Sequence, residues 1–350
     1  MQDEESVSFV VIAYNEEDHV AQTLDAITRL DGLGEHEIIV VDDCSRDSTA
    51  RIVTDISKHN PHVRPVNLPD NRGRGYARSR GVAAAQGGLI AMVDADIILP
   101  FDWLARAREA LQSHDAVGGT AVPDGDVAFI YRKFDLIPRI VSGTATVTGN
   151  NGLYRRRVFD VVSFDPLLRE GEDTALNYAM KREGLSSHTI PGLLVRHEES
   201  KDLVTSFRWL FESGRGATRQ FVAYHDLRQP DIVTFGFFGA AALGLSLALD
   251  HPLIGAAIPT AFILVAGTQH VRTRFMIAQS PLRSVASGVL VDSAMLAAYF
   301  AGRMVGLTVL FRRLDFARFP VSDVMSGPIR RRFRWNIGLR RDGRTASRYR

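Results

Sequence analysis

The sequence predicts an α/β protein with a Rossmann-like, mostly parallel sheet flanked by helices, followed by a C-terminal helical membrane region. Strand and helix signals alternate along the first third of the chain, which is typical of parallel strands joined by right-handed helical crossovers. Beyond residue 230 this alternation gives way to long apolar stretches, and the end of the chain is rich in arginine. We therefore expect three parts, residues 1–229, 230–311 and 312–350.

Short apolar runs indicate the strands of the first part, and polar caps followed by amphipathic segments indicate its helices. Strands are predicted at 7–13, 37–41, 63–67 and 88–93. Helices are predicted at 15–30, from a cap at 45–48 to about residue 59, and from a turn at 71–75 to residue 86. Such apolar strands are typical of parallel sheets that helices cover on both faces. In open α/β sheets, ligands bind at the carboxyl ends of the strands.

Composition limits the class of protein. The 350 residues, of which 45% are hydrophobic and 23% charged, suffice for a full core in one or two domains. The single cysteine, Cys44, excludes a disulfide framework and favours a reducing compartment. The acidic start at 1–5 lacks the basic segment of a secretory signal peptide. Through Pro230 the chain has 34 acidic and 26 basic residues, and beyond it 6 and 16.

Two carboxylates, Asp94 and Asp96, directly follow the apolar run at 88–93. An Asp-x-Asp pair at the end of a buried strand offers oxygen ligands to a divalent cation, which can in turn hold a diphosphate. The alternative from these residues alone is a solvated turn in which an aspartate caps the backbone.

Two features of the sequence argue against other nucleotide-binding enzymes. Gly73 and Gly75 form a lone Gly-x-Gly far from the first strand, and Arg78 stands where a dinucleotide fingerprint needs its third glycine. A nicotinamide-dependent dehydrogenase is therefore disfavoured. A nucleotidyltransferase needs a glycine- and arginine-rich loop after the first strand, where this chain has residues 14–17, Tyr-Asn-Glu-Glu.

Together, the motifs of the first part resemble family-two inverting glycosyltransferases, which have the GT-A fold. Four motifs occur in that family's order and spacing, at 13–16, at 40–43 with 45–49, at 71–75 with 77–78, and at 93–96. The resemblance continues through 149–155, 171–173, Pro191, His197, Arg208-Trp209 and 214–216. It covers roughly residues 6–225.

The resemblance implies a site for a nucleotide-sugar donor and a divalent cation, Mn²⁺ or Mg²⁺. The implied donor-binding residues are Tyr14, Asn15, Glu16, Asp43, Arg72, Gly73, Arg74 and Asp94, with the nucleotide base beside Asp43. The implied metal ligands are Asp94, Asp96 and His197. Simpler alternatives stay open, since Asp43 could cap a helix, the two arginines could start a solvated helix, and His197 could be structural.

The resemblance makes Asp173 the general base that deprotonates the acceptor hydroxyl during an inverting displacement. Residues implied on the acceptor side are Asn150, Asn151, Glu172, Arg208 and Trp209. The alternatives are a favourable interaction of Glu172 and Asp173 with a helix dipole, and apolar packing of Trp209. Thr205 and Ser206 precede the Arg-Trp pair, so the glutamine of processive synthases is missing and addition of one sugar is favoured.

Three apolar stretches predict the membrane region. Residues 233–249 and 253–268 form a hairpin at the short end of membrane-spanning length, and 285–311 is long enough to span but carries Asp292 and Arg303. Buried soluble helices are the alternative. Arginines follow the hairpin, and twelve more lie in the tail at 312–350. The positive-inside rule then favours a spanning hairpin, an interfacial third segment, and a cytoplasmic tail that suits anionic lipids.

The function expected from these features is a membrane-anchored inverting glycosyltransferase with its catalytic domain at the cytoplasmic face. It would move a sugar from a nucleotide-diphosphate donor to a lipid-linked or growing glycan acceptor. An alternative is a polyprenyl-phosphate sugar synthase, similar to dolichyl-phosphate sugar synthases, and a less favoured one is a non-catalytic nucleotide-sugar-binding assembly subunit. The acidic first part and the lack of a recognisable binding module disfavour nucleic acid as a partner.

Overall fold

The computed structural model describes residues 6–123, 130–169, 171–198, 203–224, 229–277 and 285–313. The strands are β1 (Val7–Ala13), β2 (His36–Asp42), β3 (Val63–Asn67), β4 (Leu89–Asp94), β5 (Ile97–Ile98), β6 (Ala116–Pro123), β7 (Asn151–Arg155) and β8 (Ser187–His197). The helices of the first part are α1 (Val20–Thr28), α2 (Thr49–His59), α3 (Arg74–Ala84), α4 (Trp103–Leu111), α5 (Ile130–Ser142), α6 (Arg157–Val161) and α7 (Glu172–Arg182). The remaining helices are α8 (Leu203–Tyr224), α9 (Gln229–Asp250), α10 (Pro252–Ile277) and α11 (Val285–Arg313).

The described strands form one eight-stranded sheet in the order β3-β2-β1-β4-β7-β6-β8-β5. The strands β3, β2, β1 and β4 are parallel, as the alternating strand and helix signals predict. Beyond them β7 runs antiparallel to β4, and β5 runs antiparallel to β8. The predicted α/β fold class is confirmed, and its parallel half contains the predominantly apolar strands β1, β2 and β4.

Helices cover both faces of the sheet. Every residue of β1 is buried, and alternate side chains enter different clusters, with Phe9 and Val11 in one and Val10 and Ile12 in the other. A strand buried on both faces favours apolar residues on both of its sides, which explains the nearly continuous apolar run that only Ser8 interrupts.

The first helix begins later than predicted, at Val20 instead of residue 15. Side chains that follow β2 accept hydrogen bonds from the backbone of residues 15 and 16 and keep these residues out of the helix. The backbone N–H of Asn15 donates to Ser45 Oγ at 2.9 Å, and that of Glu16 donates to Thr49 Oγ1 at 2.8 Å. Asn15 also has φ of 57°, a left-handed conformation that asparagine tolerates better than most residues.

Three described helices are long and apolar enough to cross a membrane by length and composition, at 231–250, 252–276 and 288–308. They match the three predicted stretches, and His251 separates the two helices of the hairpin. Residues 314–350 of the predicted arginine-rich tail lie outside the described residues.

The charges on the third apolar helix point into the protein. Arg303 Nη2 lies 2.8 Å from Asp231 Oδ2 at the start of α9, and Tyr299 donates to the other oxygen of Asp231 at 2.9 Å. Glycines allow α11 to approach α8 closely, since a Cβ on Gly302 would collide with the Phe211 carbonyl. Pairing of this kind is how charged side chains are accommodated among apolar helices.

Candidate active site

An open cleft of about 1480 Å³ lies at the carboxyl ends of β1, β2 and β4. Its walls bring together Tyr14, Glu16, Asp43, Gly73, Arg74, Asp94, Asp96, Asn150, Asp173, His197 and Trp209, which are distant in the sequence. The cleft stands where the topology of an open α/β sheet predicts a ligand site.

Sheet pairing brings Asp96 and His197 together. Asp96 precedes β5, whose first residue, Ile97, pairs with His197 at the end of β8. As a result, Asp96 Oδ2 lies 2.9 Å from His197 Nε2. Asp94, at the end of β4, accepts a hydrogen bond from Arg78 Nη2 at 2.9 Å. The Asp-x-Asp segment is therefore no simple solvated turn.

The carboxylates around this point concentrate negative charge. Burial, together with the charges of Asp96 and Asp94, raises the pKa of Glu16 to about 7. A divalent cation would offset this charge, and carboxylate and imidazole groups are suitable ligands for Mn²⁺ or Mg²⁺. Within the described ranges, no three His, Cys, Asp or Glu side chains converge closely enough to hold a metal by themselves. The residues thus fit a cation that also takes ligands from substrate phosphates, as Mg²⁺ usually does.

Asp43 fixes the loop between β3 and α3. Its side chain is buried and accepts hydrogen bonds from the backbone N–H groups of Arg72 at 2.9 Å and Gly73 at 2.7 Å. Gly73 has φ of 90°, and a Cβ there would stand 2.8 Å from the Cα of Arg169. The alternative role for Asp43 was to cap α2. At the start of that helix it is Asp47 that accepts a hydrogen bond from the Thr49 N–H, at 3.0 Å.

The two arginines of this loop differ in position. Arg74 lines the cleft, whereas Arg72 is exposed and stacks over the Tyr76 ring, 4.1 Å from its centroid. The sequence does not distinguish their positions, because Arg72 and Arg74 both flank Gly73.

Arg78 lies behind the cleft and connects its two halves. The guanidinium is 1% exposed, and it donates to Asp94 at 2.9 Å, to Glu172 Oε1 at 3.0 Å and to the Gly149 carbonyl at 2.6 Å. One cation thus links the end of β4, the start of α7 and the loop before β7.

Asp173 stands in the first turn of α7, in the cleft wall. Its Oδ2 accepts from the Gly149 N–H at 3.3 Å and its Oδ1 from the Thr174 N–H at 2.6 Å. Burial raises the pKa of this carboxyl, but the Arg78 charge and the two backbone N–H groups outweigh it and hold the pKa below its usual range. The group is therefore ionised at neutral pH.

Two predicted acceptor-side residues face inward, away from the cleft. Asn151 is fully buried, and its Oδ1 accepts from the Gly119 N–H at 2.5 Å. Glu172 is 2% exposed because it pairs with Arg78. Both side chains organise the wall that holds their neighbours Asn150 and Asp173.

Arg208 and Trp209 lie on α8, and their side chains are in different environments. Trp209 is half-buried, lines the cleft, and also packs against the apolar cluster formed with the C-terminal helices. Arg208 is exposed and does not line the cleft.

The predicted donor-binding residue Asn15 does not line the cleft either. Its side-chain oxygen accepts a hydrogen bond from the Arg46 N–H at 2.8 Å.

The sequence reasoning did not assign a role to Arg78, although a signal was present. Gly75, Ala77, Arg78 and Gly81 are the buried residues of α3, so the arginine sits on the small-residue face of its helix. An arginine on the inner face of a helix requires buried acidic partners, because an unpaired buried charge is very costly.

Comparison with known proteins agrees with this geometry. Residues 8–167 match the family model "Glycosyl transferase family 2". The chain is 38% identical over 193 residues to the succinoglycan biosynthesis protein ExoO of Rhizobium meliloti (strain 1021), an alignment that covers 49% of this chain and 54% of that protein. It is 35% identical over 130 residues to the dolichyl-phosphate beta-glucosyltransferase ALG5C of Trichomonas vaginalis, covering 35% of this chain and 39% of that one. The chain thus spans about half, or less, of the length of these relatives.

A solved structure shares the fold. The mannosyltransferase PcManGT from Pyrobaculum calidifontis, in complex with GDP-Man and Mn²⁺, superposes with a TM-score of 0.55 at 18% identity over 86% of each chain. At that identity the likeness shows the fold alone. The chain therefore has an α/β sheet of GT-A-like fold, its residues 8–167 match the family 2 glycosyltransferase model, and three apolar helices follow.

Proposed function

We propose that this protein is a membrane-anchored inverting glycosyltransferase, which moves a sugar from a nucleotide-diphosphate donor to a lipid-linked or growing glycan acceptor. The observation that carries the proposal is one cleft whose lining contains both the Asp96–His197 pair and the carboxylate of Asp173. An inverting displacement needs groups for both the leaving group and the nucleophile, because the two occupy opposite sides of the reacting carbon.

The donor half of the cleft consists of Tyr14, Asp43, Gly73 and Arg74 with the Asp-x-Asp segment. Glycine at 73 lets the backbone approach a ligand closely. Asp94, Asp96 and His197 would hold a divalent cation, which as a Lewis acid offsets the negative charge that develops on the leaving diphosphate. PcManGT, which shares the fold, has a solved structure in complex with GDP-Man and Mn²⁺.

Asp173 is the proposed general base. Its lowered pKa keeps it ionised, and the Gly149 and Thr174 N–H groups fix its orientation toward the cleft. General bases contribute about 10²- to 10⁴-fold in rate. We therefore expect Asp173→Asn to lose transfer by at least tenfold while nucleotide-sugar binding stays measurable.

A donor screen tests the proposal first. Thermal shifts of the purified protein with a panel of nucleotide-sugars and Mn²⁺ should identify one donor, because a ligand at 100 times its Kd stabilises the native state by about 2.7 kcal/mol. Transfer from that donor should then invert the anomeric configuration, as NMR of the product would report. Retention of configuration, or more than a tenth of the rate in Asp173→Asn with a hydroxyl acceptor, would refute the mechanism.

We also propose the cytoplasmic face for the catalytic domain. Arg272 and Arg274 lie near the C-terminal end of α10, and the positive-inside rule assigns that end of the hairpin to the cytoplasm. Nucleotide-sugars are made in the same compartment. Protease accessibility of the α/β domain in sealed inverted vesicles, compared with intact cells, tests this orientation.

A polyprenyl-phosphate sugar synthase is the second candidate. The relative from Trichomonas vaginalis favours it, since that protein is a dolichyl-phosphate beta-glucosyltransferase. A lipid phosphate is already ionised and needs no strong base. If polyprenyl phosphate is the acceptor, Asp173→Asn should keep most of the activity with it, whereas a hydroxyl acceptor would lose tenfold or more.

A further inference from the structure

The cleft continues beyond Asp173 and is larger than a single ligand requires. Pockets for one small ligand measure about 300–1,000 Å³, whereas this cleft measures about 1480 Å³. The additional space runs along α7 toward the starts of β6 and β8. Its lining there includes Asn177, Lys181, His114, His188 and Arg139.

One stripe of α7 forms the floor of this extension. Asp173, Asn177 and Lys181 follow at intervals of four residues and all line the cleft, because such residues share a helix face. Asn177 is fixed in place, since it accepts from the Val147 N–H at 2.9 Å and donates to the Asp173 carbonyl at 2.8 Å. Eight residues of helix separate Asp173 from Lys181, about 12 Å. That is roughly the length of a pyranose ring with its diphosphate.

The far end of the extension is basic. Lys181 and Arg139 supply two cations, and the His114 and His188 rings stack there with centroids 5.0 Å apart. Burial and the neighbouring His114 ring lower the pKa of His188, so its ring is neutral at pH 7 and can donate an N–H.

The acidic residue that follows His114 in the chain is already engaged. Asp115, next to His114 in the chain, accepts from Arg157 at 2.7 Å and from the Ser186 N–H at 2.8 Å. Arg157 and the Ser186 N–H therefore balance the negative charge of Asp115.

This basic end also lies beside the apolar helices. Arg139 belongs to α5, and Phe134 on the same helix packs against the cluster that contains Leu210 of α8 and Met295 of α11. A ligand that reaches Lys181 and Arg139 is thus close to the proposed membrane surface.

We propose that Lys181 and Arg139 bind the diphosphate of a lipid-linked sugar acceptor while its sugar hydroxyl reaches Asp173. The proposal rests on the glycosyltransferase function argued above and names the acceptor class. Cations at a fixed distance from the base would select the sugar next to the diphosphate as the site of transfer.

Matched acceptors test this inference. With the donor found by the screen, kcat/KM is measured for three compounds that carry the same sugar: an alkyl diphosphate sugar, the neutral alkyl glycoside, and the soluble sugar 1-phosphate. We expect the alkyl diphosphate sugar to exceed both others at least tenfold. Its advantage over the neutral glycoside should fall about tenfold in Lys181→Gln and further in Lys181→Gln/Arg139→Gln, and Lys181→Arg should retain most of it.

The neighbouring residue supplies the control. Arg182 is 82% exposed, pairs with Glu183 and lies outside the cleft lining, so Arg182→Gln should keep the wild-type preference. Equal use of the charged and neutral acceptors, or equal behaviour of Lys181→Gln and Arg182→Gln, would overturn the inference and leave the glycosyltransferase function standing. A soluble sugar 1-phosphate as good as the alkyl diphosphate would overturn the lipid-linked assignment. Failure of transfer to every acceptor would instead refute the proposed function.

Discussion

Removing Arg78 should destabilise the α/β domain far more than removing any exposed arginine. Arg78→Ala deletes three hydrogen bonds, of 2.6, 2.9 and 3.0 Å, and leaves Glu172 buried without its cation. Breaking a buried ion pair in this way costs about 3–5 kcal/mol. For a domain of this size 1 kcal/mol corresponds to roughly 2–4 °C in Tm. We therefore expect Tm to fall by about 6–20 °C.

The size of this defect should depend on pH, with a definite sign. Burial raises the pKa of Glu172 even in the presence of Arg78, and loss of the arginine removes the largest opposing interaction. An acid whose pKa is higher in the folded than in the unfolded state costs stability as pH rises above its unfolded value. Asp173, whose pKa is lowered, also loses its stabilising partner. The difference in Tm between Arg78→Ala and the wild type should thus be larger at pH 8 than at pH 5.

Differential scanning fluorimetry at both pH values measures these differences. Arg72→Ala is the matched control, because Arg72 is exposed, stacks on Tyr76 and pairs with the exposed Asp70. Adding Glu172→Gln to Arg78→Ala removes the stranded charge and should recover part of the lost Tm at pH 8. A loss below about 2 °C, or no recovery in the double variant, would refute the argument that this buried pair supports the domain.

Three further predictions concern the loop, the metal and the apolar helices. Gly73→Ala should weaken nucleotide binding and lower stability by about 1–3 kcal/mol, because φ there is 90°; calorimetry measures both. Asp96→Asn should abolish the extra thermal shift that Mn²⁺ gives to a nucleoside diphosphate, and an undiminished shift would exclude Asp96 as a ligand. Asp231→Asn should lower Tm in detergent because it strands Arg303, whereas Asp250→Asn at the exposed end of the same helix should not.

The sequence predicts the parallel half of the sheet well because β1, β2 and β4 are built around apolar runs and helix signals separate the strands. The position of Asp94 and Asp96 in the cleft is predictable for the same reason, because both follow a recognisable strand and the carboxyl ends of parallel strands meet at one edge of the sheet. The inward orientation of Glu172 and Asn151 could not be predicted, because their partners lie 94 and 32 residues away in the chain. Such contacts depend on β7 inserting antiparallel beside β4, a pairing for which the local pattern of side chains gives no signal.

The late start of α1 has a similar cause. Residues 15–19 are compatible with helix by composition, but Ser45 and Thr49 compete for their backbone N–H groups. Side chains from another part of the chain thus determine the conformation of residues 15–19, and the sequence of these residues alone does not reveal them.

If the apolar helices lie in a membrane, as proposed, the pairing of Asp231 with Arg303 connects helices that are synthesised at different times. Asp231 lies at the start of the hairpin, and Arg303 follows it by 72 residues. Charged side chains among apolar helices are costly unless they are paired or face a cavity. The hairpin alone would therefore carry a carboxylate without its Arg303 partner until α11 is synthesised. The apolar helices are then best completed as one unit, and chains truncated before residue 303 should be substrates for membrane quality control.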